Sequence, residues 1–348
     1  MKRIIFSMLC LLAFGLSASA QAEGTPYYLP KTEMHLQLLI EKSTYTPGEF
    51  ALYSERFLKK TAPENPSVEY RIVGINMYTT AIPDSTKEFF VPIDKKHTVL
   101  NVERASNGIL TAVNAKGKTV PAPSEFVPAP KVALLNPHDF MSEDILAAGS
   151  KAKMAELTAR EIYDIRSSRN ELSRGEADYM PKDGDQLKIM LANLDRQESI
   201  LLQTFQGVTV KDTIQQEVRY VPVKGEEANT KALLFRFSKK LGLVDNDDLA
   251  GSPYYINIED LQIIPELKAP TAVDKKKEEP SITVNMPGKV KATVLAGNKA
   301  IKAFEFYAAQ FGRLETLSAN LFGKKMLTKL QLNPVNGNVE SISTEPLE

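Results

Sequence analysis

Ser150-Lys151-Ala152-Lys153 sets a serine one helical turn ahead of a lysine, a spacing in which an amine can draw the proton from a hydroxyl nucleophile. Ser318-Ala319-Asn320 echoes the second element of such penicillin-interacting sites. Their third element, Lys-Thr-Gly or Lys-Ser-Gly on an edge strand, occurs nowhere in the 348 residues, so Ser150 reads as a helix N-cap. Ala112 to Thr119 fits a loose phosphate-binding loop, whose chemistry needs backbone amides curling into a helix N-terminus. Pro121 and Pro123 follow at once and bar that helix, which leaves a strand end and a turn. His35, His97 and His138 lack metal-ligand spacing. Asp245-Asn246-Asp247-Asp248 is acidic enough for calcium, but Leu249 stands where an EF-type loop needs an oxygen ligand, and a hairpin turn fits better. Glu198, on an apolar helix stripe, is expected to form a structural ion pair with Arg166 or Arg169. No catalytic residue, metal ligand or cofactor is therefore assigned.

The elements that must position any site centre on residues 150–207. Leu187, Met190, Leu191, Leu194, Leu201 and Phe205 recur at three- and four-residue steps, which places them on one helical face and predicts that Leu194 and Leu201 are alike in the core. Met154, Leu157, Ile162, Ile165 and Leu172 do the same for a preceding helix. Ser150 caps the first helix, Gly175 stops it, and Asp183 with Gln186 opens the second in a capping box. The intervening turn mixes charges with Tyr179 and Met180 and exceeds an ordinary connection between antiparallel helices. Arg169, Arg174, Glu176 and Asp178 are the binding residues expected there, provided they are exposed together.

The flanking sequence reads as strand and turn. Met34, Leu36, Leu38 and Ile40 alternate with His35, Gln37 and Glu41, a half-buried strand. Strands are expected at 68–80, 87–93, 98–104 and 109–114, with Ser106-Asn107-Gly108 turning the last two into a hairpin. Prolines 121, 123, 128, 130 and 137 mark an extended connector. Further strands are expected at 231–238, 254–259, 289–295, 299–307, 327–332 and 339–343, with a solvated loop at Lys275 to Glu279. The fold class read from this pattern is α+β, mostly β, with two β-rich domains (23–137 and 208–348) flanking a central long helical hairpin at 138–207.

Lys2 and Arg3, an apolar run from Ile4 to Leu16, and Ser17 to Ala22 have the order of a Sec signal peptide, cleaved after Ala20 or Ala22. The run is shorter than the ~20 residues of a bilayer span, so no transmembrane segment is expected after cleavage. Cys10, the single cysteine, sits inside the run behind Met8 and Leu9, which argues against a lipoprotein. Periplasmic or secreted placement follows, with no thiol chemistry in the mature chain. Removing Lys2 and Arg3 leaves a net charge of about −2, which gives nucleic acid no purchase.

Tyr27 to Thr32 (YYLPKT), Tyr45-Thr46-Pro47-Gly48 and above all Ala159 to Gly207 resemble a family of exported Bacteroidota proteins classed as a domain of unknown function. The resemblance spans nearly all of the mature chain. It implies a signal peptide and a β-rich body, and brings no catalytic residues. The function expected is that of a non-catalytic cell-envelope protein binding a protein or glycan partner. The alternatives are a periplasmic glycan hydrolase using paired carboxylates and a structural subunit of an envelope complex. The lack of tryptophan counts against sugar stacking, although Tyr254 and Tyr255 offer aromatic rings.

Overall fold

The computed structural model describes residues 24–92, 97–131, 133–225, 230–265 and 281–347. The signal-peptide reading and the loop at Lys275 to Glu279 lie outside them. Two long strands open the chain: β1 (Gly24–Thr46) and β2 (Ser67–Pro92) run antiparallel along almost their whole length. Between them lies the short helix α1 (Ser54–Leu58). β2 replaces two expected strands, because Pro83 is no interruption there. As an edge strand, β2 can spare the N–H that proline lacks. β3 (Val102–Arg104) and β4 (Leu110–Val113) form the expected hairpin, with Gly108 at φ +84°. Two helices follow α2 (Glu143–Leu146): α3 (Lys151–Arg174) and α4 (Gly184–Gln206). Strands β5 (Val208–Tyr220), β6 (Ala232–Ser238), β7 (Gly242–Val244), β8 (Ser252–Asp260), β9 (Ser281–Ala296), β10 (Lys299–Ser318), β11 (Met326–Leu332) and β12 (Val339–Pro346) complete the chain.

These strands make three antiparallel sheets, ordered β2-β1-β5, β10-β9-β8-β6-β7 and β12-β11-β4-β3. The first two sheets enclose the largest core. Met34, Leu36, Leu38 and Ile40 on β1 meet Phe235, Phe237, Ile256, Val290 and Phe311 there. The two ends of β1 serve different cores: Tyr27 and Leu29 pack with Leu110, Val113, Ile282, Val284, Phe322 and Leu330. The Tyr27 hydroxyl donates to the Thr283 carbonyl at 2.8 Å and accepts from its N–H at 2.8 Å, extending the contact across 256 residues of sequence. Gln310 on β10 brackets Thr32 on β1, its carboxamide accepting from the Thr32 N–H and donating to the Thr32 carbonyl. A third core holds the helices, with Phe50, Leu58, Met141 and Ile145 against Ala159, Ile162, Leu201 and Phe205.

The arrangement of two β-rich domains flanking a central long helical hairpin is thereby corrected. Strand makes up about 47% of the described residues and helix about 22%. β1 pairs with β5 and β4 with β11, so division at 137 and 208 would cut hydrogen-bonded ladders. The helices are an insertion between β4 and β5, packed beside one interleaved β body. Periodicity locates most of the strands, β5 and β7 excepted, but carries no record of a strand's partner, and β1 and β4 find β5 and β11 across the proline connector. No helix among the described residues is long and apolar enough to cross a membrane.

Candidate functional site

Strand geometry creates the face of interest. Because side chains alternate, the register that buries Met34, Leu36 and Leu38 turns Glu33, His35, Gln37 and Glu41 to the opposite side of the β2-β1-β5 sheet. Pairing sets Tyr78 and Arg219 on either side of His35, and Asn76 and Glu217 on either side of Gln37. Thr80 stands beside Glu33, and Gln215 beside Leu39. The result is a polar face with a single apolar residue, Leu39, in its middle row.

Glu217 ties the face together. Its Oε1 accepts from His35 Nδ1 at 3.0 Å and from Arg219 Nε at 2.9 Å, while its Oε2 accepts from the Tyr78 hydroxyl at 2.7 Å. His35 Nε2 lies 2.7 Å from Thr80 Oγ1 and 3.1 Å from Glu33 Oε2. Tyr78 lies over the imidazole with ring centroids 4.7 Å apart and planes within 16°. His35 is only 5% exposed beneath it. The hydrogen bonds from His35 and then Tyr78 hold the Glu217 carboxyl down at about 2, against the opposing effect of partial burial. Burial and the neighbouring Glu217 push the Tyr78 hydroxyl above its ordinary value. Farther along, Glu41 takes Arg71 at 3.0 Å and Lys211 at 3.5 Å.

Chemically this is a closed set. A general acid or base needs a pKa near the working pH and a free position for substrate. Glu217 is shifted away from that range, and both His35 nitrogens are engaged. Among the described residues no group of three or more His, Cys, Asp or Glu side chains is placed to hold a metal ion. Gln37, Asn76 and Gln215 remain, three amides on one face whose side chains have no hydrogen-bond partner among the described residues. Next to the ladder, and sharing Thr80 with it, is a groove of about 380 Å³ whose walls include Ala81, Arg104, Asn107, Lys118 and Thr119.

The other motifs resolve into structure. The Ser150 hydroxyl accepts from the Lys153 N–H at 3.3 Å, as a cap does. Within the phosphate-loop-like stretch, the Gly117 N–H donates to Glu103 at 2.8 Å and Lys118 pairs with Glu340 at 2.6 Å, with extended chain after them. Asp248 accepts from the Ala250 N–H within a turn between β7 and β8. His138 meets Glu49 at 2.8 Å. Tyr254 is stacked on Phe235 at 4.6 Å and half-buried against the main core rather than offered to a ligand.

The four residues expected to bind at the end of the helix pair are not brought together as a set. Arg169 Nη1 lies 2.7 Å from both Asp195 and Glu198, and Arg166 Nε lies 2.6 Å from Glu198, itself 7% exposed. Glu198 is thus the structural ion pair expected of it. Arg174, Glu176 and Asp178 are exposed, with Arg174 and Glu176 3.9 Å apart. Beside them Tyr179 and Ile189 are 66% and 63% exposed. Sequence reading missed the ladder instead. Its signal was the His35-Gln37 side of a strand already recognised, but Tyr78 and Glu217 join it only through pairings 43 and 182 residues away.

A family model described as Domain of unknown function (DUF4831) matches residues 23–340. No curated protein and no solved structure matches the chain.

Proposed function

We propose that the chain, which belongs to the family described as Domain of unknown function (DUF4831), is a non-catalytic cell-envelope protein that binds a protein or glycan partner. The observation that carries this reading is the closed hydrogen-bonding of the β2-β1-β5 face. Its one strongly shifted carboxyl, Glu217, is held at about 2, while a glycosidase acid must be raised toward neutrality. Glu33 and Glu217 flank His35 and are both engaged by it, which weighs against the rival paired-carboxylate hydrolase. Export to the periplasm or beyond is supported by Lys2, Arg3, the apolar run Ile4 to Leu16 and the small residues that end it.

A protein partner has a separate argument at the end of the helix pair. Arg174, Glu176 and Asp178 are exposed within five residues of the exposed Tyr179, and an aromatic side chain among charged ones is a combination that protein contacts use. Arg169 leaves this set because Asp195 and Glu198 already hold it. The test is co-sedimentation of the purified mature chain with envelope fragments from the cells that encode it, together with an assay for new reducing ends. Saturable sedimentation without new reducing ends is expected. Reducing ends that disappear in Glu217→Gln would establish the hydrolase instead. Charge reversal by Arg174→Glu with Glu176→Lys is expected to weaken sedimentation while leaving Tm unchanged. If the pair of reversals unfolds the protein or leaves sedimentation intact, this surface is structural.

A further inference from the structure

We infer that the outer face of β1, β2 and β5 binds an extended, uncharged oligosaccharide, with the Tyr78 ring as its stacking platform. The inference rests on the non-catalytic binding reading and names the ligand class for it. Tyr78 is fixed in place before any ligand arrives: stacked on His35 at 4.7 Å and 16°, with its hydroxyl bound to Glu217 at 2.7 Å. The imidazole beneath is buried and Tyr78 only half so, which leaves the second face of the phenol ring as the outward one. An aromatic ring held flat presents a large apolar surface to the C–H face of a pyranose, and its pre-set orientation spares ordering entropy on binding.

The pairing of the charges on the face argues against a polyanion. Arg219 is paired with Glu217, and Arg71 and Lys211 with Glu41, so no unpaired cation row awaits a polyanion. A ligand made of hydroxyls needs side chains that both donate and accept, and Gln37, Asn76 and Gln215 each carry both functions on one amide. From the Thr80 row to the Gly74 row the ladder runs roughly 20 Å, at ~3.3 Å per residue, which accommodates several sugar rings. The groove of about 380 Å³ adjoins this face at Thr80, with Asn107 and Thr119 among its lining residues.

Isothermal titration of the mature chain with cellohexaose, xylohexaose and mannohexaose, and with acidic hexagalacturonate as the charged control, tests this. At least one neutral hexasaccharide is expected to bind with a Kd below about 1 mM. Tyr78→Ala should weaken it about tenfold or more, whereas Tyr78→Phe, which keeps the ring, should stay within about threefold of wild type. Gln37→Ala and Asn76→Ala should each weaken binding with Tm unchanged, since neither amide holds another side chain in place. The inference is overturned if no neutral oligosaccharide binds, if only hexagalacturonate binds, or if the Tyr78→Ala and Gln37→Ala proteins bind like wild type. Envelope co-sedimentation that persists when the oligosaccharides fail would sink the glycan ligand and leave the binding reading standing. Loss of sedimentation as well would remove both.

Discussion

Three hydrogen bonds converge on the Glu217 carboxylate, from His35, Tyr78 and Arg219, and each favours its ionised form. A folded-state pKa of about 2, set against 4.5 for an ordinary glutamate, makes the folded state prefer the deprotonated form. Glu217 therefore adds stability that is fully present above about pH 4.5 and is lost as pH falls toward 2. Replacing it by Gln is expected to lower Tm at neutral pH and to flatten the acid limb of the Tm profile in that window. Parallel acid limbs for wild type and Glu217→Gln would show that the carboxylate is no more stabilised in the folded state than in the unfolded one. At this scale half of the site was legible. The alternation Met34-His35-Leu36-Gln37 already separates a core side from a polar side. Nothing local says that the polar side of β1 faces Tyr78 and Glu217.

Among the elements, α3 and α4 show how far periodicity reaches. The caps form at the residues read, Ser150 on Lys153, Gly175 at φ +74°, and Asp183 accepting from the Asp185 and Gln186 N–H groups at 2.9 and 2.7 Å, but the Gln186 side chain does not return the bond that would complete a capping box. The apolar stripe of α4, however, is not equally buried along its length. Leu201 is 1% exposed inside the third core, whereas Leu187, Met190, Leu191 and Leu194 are half-buried. Burial fades because Phe50, Leu58, Met141 and Ile145 reach the Leu201 end of α4. Leu201→Ala is accordingly expected to cost about 2–5 kcal/mol in chemical denaturation, and Leu194→Ala distinctly less. Lys188→Ala, on the exposed side, should stay within about 0.5 kcal/mol of wild type. Equal losses at Leu194 and Leu201 would contradict this gradient. Gly48, in the Thr-Pro-Gly turn, marks the base of the same core. A Cβ there would run into the Thr204 carbonyl, so the chain needs glycine for α4 to pack close.

For the whole molecule, the decisive contacts join residues that sequence order separates. β1 supplies one wall of two cores and hydrogen-bonds with β2, before the helices, and with β5, after them. Val113 of β4 pairs with Leu330 of β11, and the third sheet is closed only by the last strands. A fragment ending at residue 137 thus lacks β5, β9 and β11 and leaves Met34, Leu36 and Leu38 without a partner layer. Expressed alone, residues 23–137 are expected to remain unfolded, with poorly dispersed amide resonances and no cooperative melting. A fragment that melts cooperatively would restore the two-domain arrangement.

The sequence by itself determined what depends on neighbours a few residues away. It placed helix caps, the Asn107-Gly108 turn, the alternation of β1, and the incompleteness of each apparent catalytic motif, because capping, turn geometry and side-chain period are local properties. The tertiary structure decided which strand lies beside which. That choice fused two expected domains into one interleaved body and assembled Glu33, His35, Tyr78 and Glu217 on one face. The physical reason is that sheet pairing is satisfied by backbone groups common to every residue. The partner is selected by burial over the whole chain, and no short stretch of sequence encodes it.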